Sequence, residues 1–335
     1  MSSSLHRRRF VTVTAAAAGF ALPLSNRRAL ADTETVTWRG HAMGAAASVQ
    51  IQHPDRAKAE RILRQGLSEV RRLEQVFSLY RHDSDLAGLN RYGILIAPPS
   101  DLVALLGECR RLWELTGGTF DPTVQPLWSL YRAHFSEPAH DPDGPSPDAL
   151  RAALDKVGFQ HVSFDRNRII LGRPGMGLTL NGIAQGYATD RLVDVFLAEG
   201  LTHSLVDIGE SRATGGRADG TPWRIGVADP DMPDRVAEVL DITEGAVATS
   251  GGYGFEFDSG ARFNHLLDPV TGGSAHRYRS VTVRASKATA ADGLSTAFSL
   301  LSEEKISDIL AAFKEGQAFL LRTNRERRVL TARTD

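Results

Sequence analysis

Leu178-Thr179-Leu180-Asn181-Gly182-Ile183-Ala184-Gln185-Gly186-Tyr187-Ala188-Thr189-Asp190 is the stretch on which the reading of the whole chain turns. It opens as a short apolar run, passes two glycines spaced four apart and becomes an amphipathic helix. Leu192, Val195 and Phe196 form that helix's apolar face, and Gly200 is placed to end it. A strand that turns through glycines onto a helix N-terminus offers bare backbone N–H groups and the positive end of a dipole, where proteins hold phosphate. Taken alone, the stretch is equally an ordinary strand–turn–helix corner with glycines for backbone freedom. Its spacing is neither G-x-G-x-x-G nor a P-loop. The flanking sequence decides between these readings.

Upstream, alternation through Val36-Thr37-Trp38 and Ala47-Ser48-Val49-Gln50-Ile51 predicts a hairpin broken at His41–Gly44. Asp55 to Phe77 is a helix with Ile62, Leu63, Leu67, Val70, Leu73 and Phe77 on one stripe. Ser78 to Asp85 reads as a loop, and Ser100 as the cap of a helix ending at Gly117-Gly118. Thr119-Phe120-Asp121-Pro122-Thr123 reads as a turn. Residues 136–147 hold four prolines and suggest a surface insertion or a boundary, at the end of which Ser146-Pro147 starts another helix. Strands at His161–Phe164 and Ile169–Leu171 lead into the central stretch. Beyond Gly200 the chain is strand-rich, interrupted by helices at Ala290–Leu301 and Glu303–Phe313. Strands and helices mix without regular βα alternation, so the expected class is α+β, with mixed or antiparallel sheets flanked by helices.

The first 31 residues read as a leader. Arg7-Arg8-Arg9-Phe10-Val11 is a twin-arginine pattern, Thr12–Leu24 is weakly apolar, and Ala29-Leu30-Ala31 resembles a signal-peptidase site. This predicts export to the periplasm, with no transmembrane segment in the mature chain. The leader carries five arginines and no acids, so its removal makes the formal net charge of −1 five units more negative. A mildly acidic body argues against nucleic acid as a partner. The single Cys109 excludes an internal disulfide and sits in a helical apolar pattern as a buried small hydrophobe.

Asp292 and Thr296 lie four apart in a helical pattern, which stacks a carboxylate and a hydroxyl on one face as hard oxygen ligands suited to Mg²⁺. A helix-start acid beside an exposed threonine fits that pair as well. A carbonyl from a strained turn at Gly182 would add a third oxygen. In Phe263-Asn264-His265-Leu266-Leu267-Asp268-Pro269-Val270-Thr271-Gly272, His265 is the candidate general base and Asp268 a candidate orienting group. Asp-Pro-x-Thr-Gly is also simply a good turn. Ser250-Gly251-Gly252-Tyr253 lacks the G-x-S-x-G elbow and reads as a loop that meets ligand through backbone and hydroxyl.

In this order the segments HAMGAAASV, FSLYRHDSDLAGLN, GGTFDPTVQPLW, LNGIAQGYATD, VDIGESRATGG, VATSGGY, FNHLLDPVTGG and AADGLSTAFSLL resemble the ApbE-type flavin transferases. The leader and the NGIAQGYATD wording look most like the NosX branch, linked to nitrous-oxide reductase maturation. The resemblance implies one ApbE-like, T-fold-related domain over residues 32–335. It implies a Mg²⁺-dependent periplasmic enzyme that cleaves FAD and joins FMN through a phosphoester to a Thr or Ser of a membrane-bound, NosR-like flavoprotein, releasing AMP. It assigns flavin contacts to Met43, Tyr80, Thr119, Phe120, Asp121, Thr179, Gln185, Ser250 and Leu266. It assigns metal contacts to Gly182 through its carbonyl, Asp292 and Thr296, and activation of the acceptor hydroxyl to His265. Two departures stand out: the family usually has Asp at the position of Thr179 and often Lys or Glu at Gln185, and its Asp-x-Gly-Gly is here Asp207-Ile208-Gly209-Glu210. A non-catalytic flavin-binding assembly protein, or a hydrolase yielding FMN and AMP, would share these residues.

Overall fold

The structure is a computed structural model and describes residues 34–232 and 235–332. The leader lies outside the described residues.

The frame is an eight-stranded sheet whose spatial order is its chain order: Glu34–Ala42, Ala45–His53, Ser204–Asp207, Ser211–Thr214, Gly245–Ser250, Tyr278–Ala285, Gln317–Arg322 and Arg327–Thr331. Every neighbouring pair is antiparallel, so the mixed alternative falls away and the class is α+β on antiparallel sheets. The first hairpin is not broken at His41. Pairing continues to Ala42 opposite Ala45, with a tight turn made by Met43 at φ 52° and Gly44 at φ 79°.

Three helices, Arg56–Phe77, Ala184–Ala198 and Ala288–Phe298, cover one face of the sheet. The first starts where Asp55 accepts the N–H of Lys58, and its stripe of Ile62, Leu63, Leu67, Val70, Leu73 and Phe77 is buried. The other face is covered in part by the hairpin Trp223–Ala228 with Val236–Ile242. Successive residues of a strand point to opposite faces, so Val206 and Ala248 pack under the helices while Leu205 and Val247 pack under Trp223 and Ile225. Double coverage explains why Ser204–Asp207 and Ser211–Thr214 are buried at every position. A three-stranded sheet of Ile94–Ile96, Val162–Phe164 and Arg168–Leu171 stands apart.

Several local expectations change. Leu178–Leu180 is irregular backbone rather than a strand, because Leu178 bonds to Asn90 and Thr179 N–H to the Pro122 carbonyl instead of a ladder. Ser84, placed in a loop by the sequence, caps a helix at Asp85–Tyr92 through the Ala87 N–H. Ser100 lies inside its helix, after Pro99, and caps nothing. A helix at Gln125–Ser136 follows the Asp121 turn. Residues 137–146 form a surface loop tied down by the Arg262–Asp143 ion pair.

Candidate active site

The site begins where two helices cross. Asp190, at the end of the central stretch, accepts from the N–H groups of Ala288 and Thr289 at 3.0 and 2.9 Å, from the Thr289 hydroxyl at 2.6 Å and from Arg212 at 2.7 Å. It thereby caps the Ala288–Phe298 helix from outside that helix. The crossing is close because it is built on small residues: a β-carbon on Gly186 would lie 2.4 Å from the Ala288 carbonyl oxygen. One turn along, Asp292 Oδ2 accepts the Gly186 N–H at 2.9 Å. That N–H is therefore committed to a carboxylate and is not the bare phosphate donor the sequence suggested. Gly182 is not in a strained, positive-φ turn either. It is glycine because a β-carbon there would sit 2.8 Å from Thr296 Oγ1. Gly182, Asp292 and Thr296 thus meet at one corner, joined by Ser250, whose hydroxyl lies 2.7 Å from Ser295 Oγ and 3.5 Å from Thr296 Oγ1.

This corner opens into a cleft that also holds Thr119, Phe120, Asp121, Thr179, Gln185, His265 and Leu266. The Thr179 N–H bond to Pro122 locks the central stretch to the Asp121 turn at 2.8 Å. Asp121 Oδ1 accepts the Thr123 N–H and hydroxyl, and Oδ2 the Trp113 indole N–H and Phe159 N–H, which makes it a pillar of the wall. Asn264, through its amide to Ala275 and its Oδ1 to the Leu266 N–H, fixes the next loop. There the His265 ring rests over Gly254, with Nδ1 3.1 Å from the Phe255 carbonyl. A carbonyl only accepts, so Nδ1 carries the proton in the neutral ring and Nε2 keeps its lone pair. Desolvation by the surrounding protein pushes the imidazole pKa below its ordinary value, partly opposed by that hydrogen bond.

Three expected residues lie elsewhere. Asp268 accepts the N–H groups of Val270 and Thr271 at 2.7 and 3.0 Å. It holds a turn outside the cleft lining, and its recorded partners are these two backbone groups rather than a side chain it could orient. Met43 reaches the cleft only through its carbonyl, which accepts from Gln185 Nε2 at 3.2 Å. Tyr80 is exposed and outside the lining. Conversely, Glu210 and Trp128 line the cleft without having been assigned a contact, and Tyr253 lines it with the loop expected to meet ligand. Glu210 was legible as a departure from a glycine, but nothing in sequence spacing brings it to Asp292.

The charge in the cleft is one-sided. Asp121, Glu210 and Asp292 line it, and no Lys or Arg does among the described residues. Burial raises the carboxyl pKa of Asp292, and that of Glu210 is raised by burial and then by the charges of Asp292 and Asp207. Buried like charges with hard oxygens around them fit a divalent cation. No three His, Cys, Asp or Glu side chains are grouped to hold one among the described residues. A Mg²⁺ site here must therefore mix carboxylate, hydroxyl and carbonyl, which suits its preference for few protein ligands.

Solved flavin transferases share this fold. The chain is similar to the flavin transferase ApbE from Vibrio cholerae, with a TM-score of 0.76 at 28% identity, covering 90% of this chain and 97% of that one. It is similar to the apo flavinyl transferase ApbE of Pseudomonas stutzeri, with a TM-score of 0.75 at 28% identity, covering 90% and 95%. By sequence it is 31% identical over 279 residues to the FAD:protein FMN transferase of Vibrio cholerae serotype O1, covering 81% of this chain and 83% of that protein. It is 32% identical over 279 residues to that of Treponema pallidum, covering 77% and 76%. Residues 43–321 match the ApbE family profile, and the chain belongs to the ApbE family.

Proposed function

We propose that the chain transfers FMN from FAD to a hydroxyl of an acceptor protein and releases AMP, in keeping with relatives named FAD:protein FMN transferase. The observation that supports this most is the convergence of Gly182, Asp292, Thr296 and His265 on one cleft without a single Lys or Arg in its lining. A pyrophosphate cannot be neutralised there by side chains alone. Asp292, Thr296 and the Gly182 carbonyl would hold Mg²⁺, which when bound supplies charge neutralisation to the phosphates. The protein's own work is then positioning and one proton transfer, as phosphoryl chemistry requires. His265 Nε2 takes the proton of the acceptor hydroxyl. That oxygen bonds to the FMN phosphorus as the bond to the bridging oxygen breaks, and AMP leaves with the bridging oxygen. Thr119, Phe120, Thr179, Gln185, Ser250 and Leu266 form the wall against which FAD is oriented, and the Met43 carbonyl holds the Gln185 amide at its margin.

The finer reading is a periplasmic enzyme exported by the twin-arginine route and acting on a Thr or Ser of a membrane flavoprotein of the nitrous-oxide system. It is supported by the leader pattern and the wording of the central stretch. No helix among the described residues is long and apolar enough to cross a membrane.

The test is to incubate the mature chain with FAD, Mg²⁺ and candidate acceptor fragments. Equal amounts of AMP and flavinylated acceptor are expected. FMN with AMP but no labelled acceptor would make it a hydrolase, and FAD bound and unchanged would make it an assembly protein.

A further inference from the structure

Three carboxylates line the cleft, and they are not equivalent. Asp121 has both oxygens filled by four donors. Asp292 has one recorded donor, the Gly186 N–H. Glu210 has one, the backbone N–H of Thr249, although it is only 9% exposed. A carboxylate offers about four acceptor positions, so Glu210 and Asp292 both keep open valences inside the protein. Both line the same cleft. Neither forms an ion pair among the described residues, and the buried Arg212 is engaged by Asp190 and Asp194. Burial of two carboxyl groups without a counter-ion disfavours the charged form of each, a cost that a bound cation would relieve.

The placement of Glu210 is fixed by the fold. It ends the tight turn between the Ser204–Asp207 and Ser211–Thr214 strands, and its carbonyl accepts the Thr189 hydroxyl at 3.1 Å. Thr189 belongs to the same helix whose Gly186 holds Asp292. The turn, that helix and the Asp292 helix are therefore joined at one point.

We propose that Glu210 supplies a second carboxylate to the cation site, so that the chain takes up a divalent cation before any dinucleotide binds. The proposal rests on reading the cleft as the seat of the FAD phosphates. It adds a positioning residue that the family resemblance does not assign.

The experiment uses Mn²⁺ and Mg²⁺ alone, without flavin, on the mature wild-type chain and its Glu210→Gln, Glu210→Ala and Asp292→Asn variants. Binding is read by calorimetry and by the Mn²⁺ resonance signal, and thermal midpoints are taken in chelator and in saturating Mg²⁺. Wild type is expected to bind one cation, with about tenfold weaker binding in either Glu210 variant. In chelator, and most clearly at about pH 8 to 9, the Glu210→Gln midpoint is expected above wild type, because a buried carboxyl with no counter-ion is gone, and the order should reverse in Mg²⁺. A purely structural Glu210 would lower the midpoint in both conditions. Unchanged cation affinity in both Glu210 variants, or a midpoint lowered equally in chelator and Mg²⁺, overturns the proposal. If Asp292→Asn alone abolishes binding, the Glu210 assignment fails while the reading of the cleft stands. If wild type binds no cation even with FAD present, that reading fails with it.

Discussion

Asp292 Oδ2 accepts the backbone N–H of Gly186 at 2.9 Å, across a helix crossing where no side chain larger than hydrogen fits at position 186. One bond thus fixes the carboxylate of one helix to the first turn of another. The corner formed with Gly182 and Thr296 is what gives the cleft its chemistry.

Replacing Asp292 separates stability from activity. Asp292→Ala leaves the buried Gly186 N–H unpaired, which costs about 1–3 kcal/mol, whereas Asp292→Asn retains an oxygen acceptor. Both should lose FMN transfer by at least about a hundredfold, since neither keeps the charge. Urea unfolding and AMP release measure the two effects. Transfer retained in Asp292→Asn contradicts the role given to the carboxylate.

Gly182→Ala adds a carbon 2.8 Å from Thr296 Oγ1, so the corner must open. The expected result is a modest loss of stability, about 1–3 kcal/mol, with a disproportionate rise in the Mg²⁺ concentration needed for half-maximal activity. An unchanged Mg²⁺ requirement would argue that Gly182 and Thr296 do not share the ion.

His265→Ala should lower transfer by about 10²–10⁴-fold while leaving FAD binding nearly intact. In the wild type the base must be unprotonated, and its pKa is pushed down by desolvation. The acid limb of the pH–rate profile should therefore lie below the ordinary histidine value of about 6.5, with a plateau at neutral pH. A limb above that value would mean the titrating group is another.

Cation-free stability should fall as pH rises. Burial raises the Asp207 carboxyl to about 6 and also raises those of Glu210 and Asp292. A group with a higher pKa folded than unfolded gives stability that is complete below the unfolded value, near 4, and lost as pH passes the folded value. In chelator the thermal midpoint should drop from pH 5 to pH 8, by a free energy on the order of 2 kcal/mol. Mg²⁺ should flatten that slope. A midpoint that climbs across the window contradicts the assignment.

Asp190→Ala removes the external cap of the Asp292 helix and leaves Arg212 buried beside a hole. Breaking a buried pair from one side costs about 3–5 kcal/mol, and the same change in Arg212→Met with Asp190→Leu should cost less. A double-mutant cycle by urea unfolding checks this.

Periodicity carried much of the fold. The Asp55–Phe77 helix, the hairpin pattern and the later strands follow from apolar spacing because one face of each is buried. Short elements whose reason is tertiary did not show. Ser211–Thr214 is buried along its whole length, and Gln125–Ser136 packs between the Pro147–Leu154 helix and the His265 loop. At the site, Asp292 and Thr296 were legible as an i, i+4 pair and His265 as a loop histidine. Their meeting at Gly182 depends on the Asp190 cap, a contact across 98 residues in one case and 99 in the other. Asp268 shows how one motif reads as turn and as catalyst alike: here its Oδ1 is taken by two backbone N–H groups.

The most direct measurement of the central claim is the ³¹P spectrum of FAD held unreacted by the His265→Ala protein while Mn²⁺ is added. Both phosphorus lines should broaden as the ion binds, and the broadening should vanish when Asp292→Ala is introduced as well. Bound FAD whose phosphorus lines stay sharp with Mn²⁺ on the protein would place the cation away from the phosphates and contradict the account.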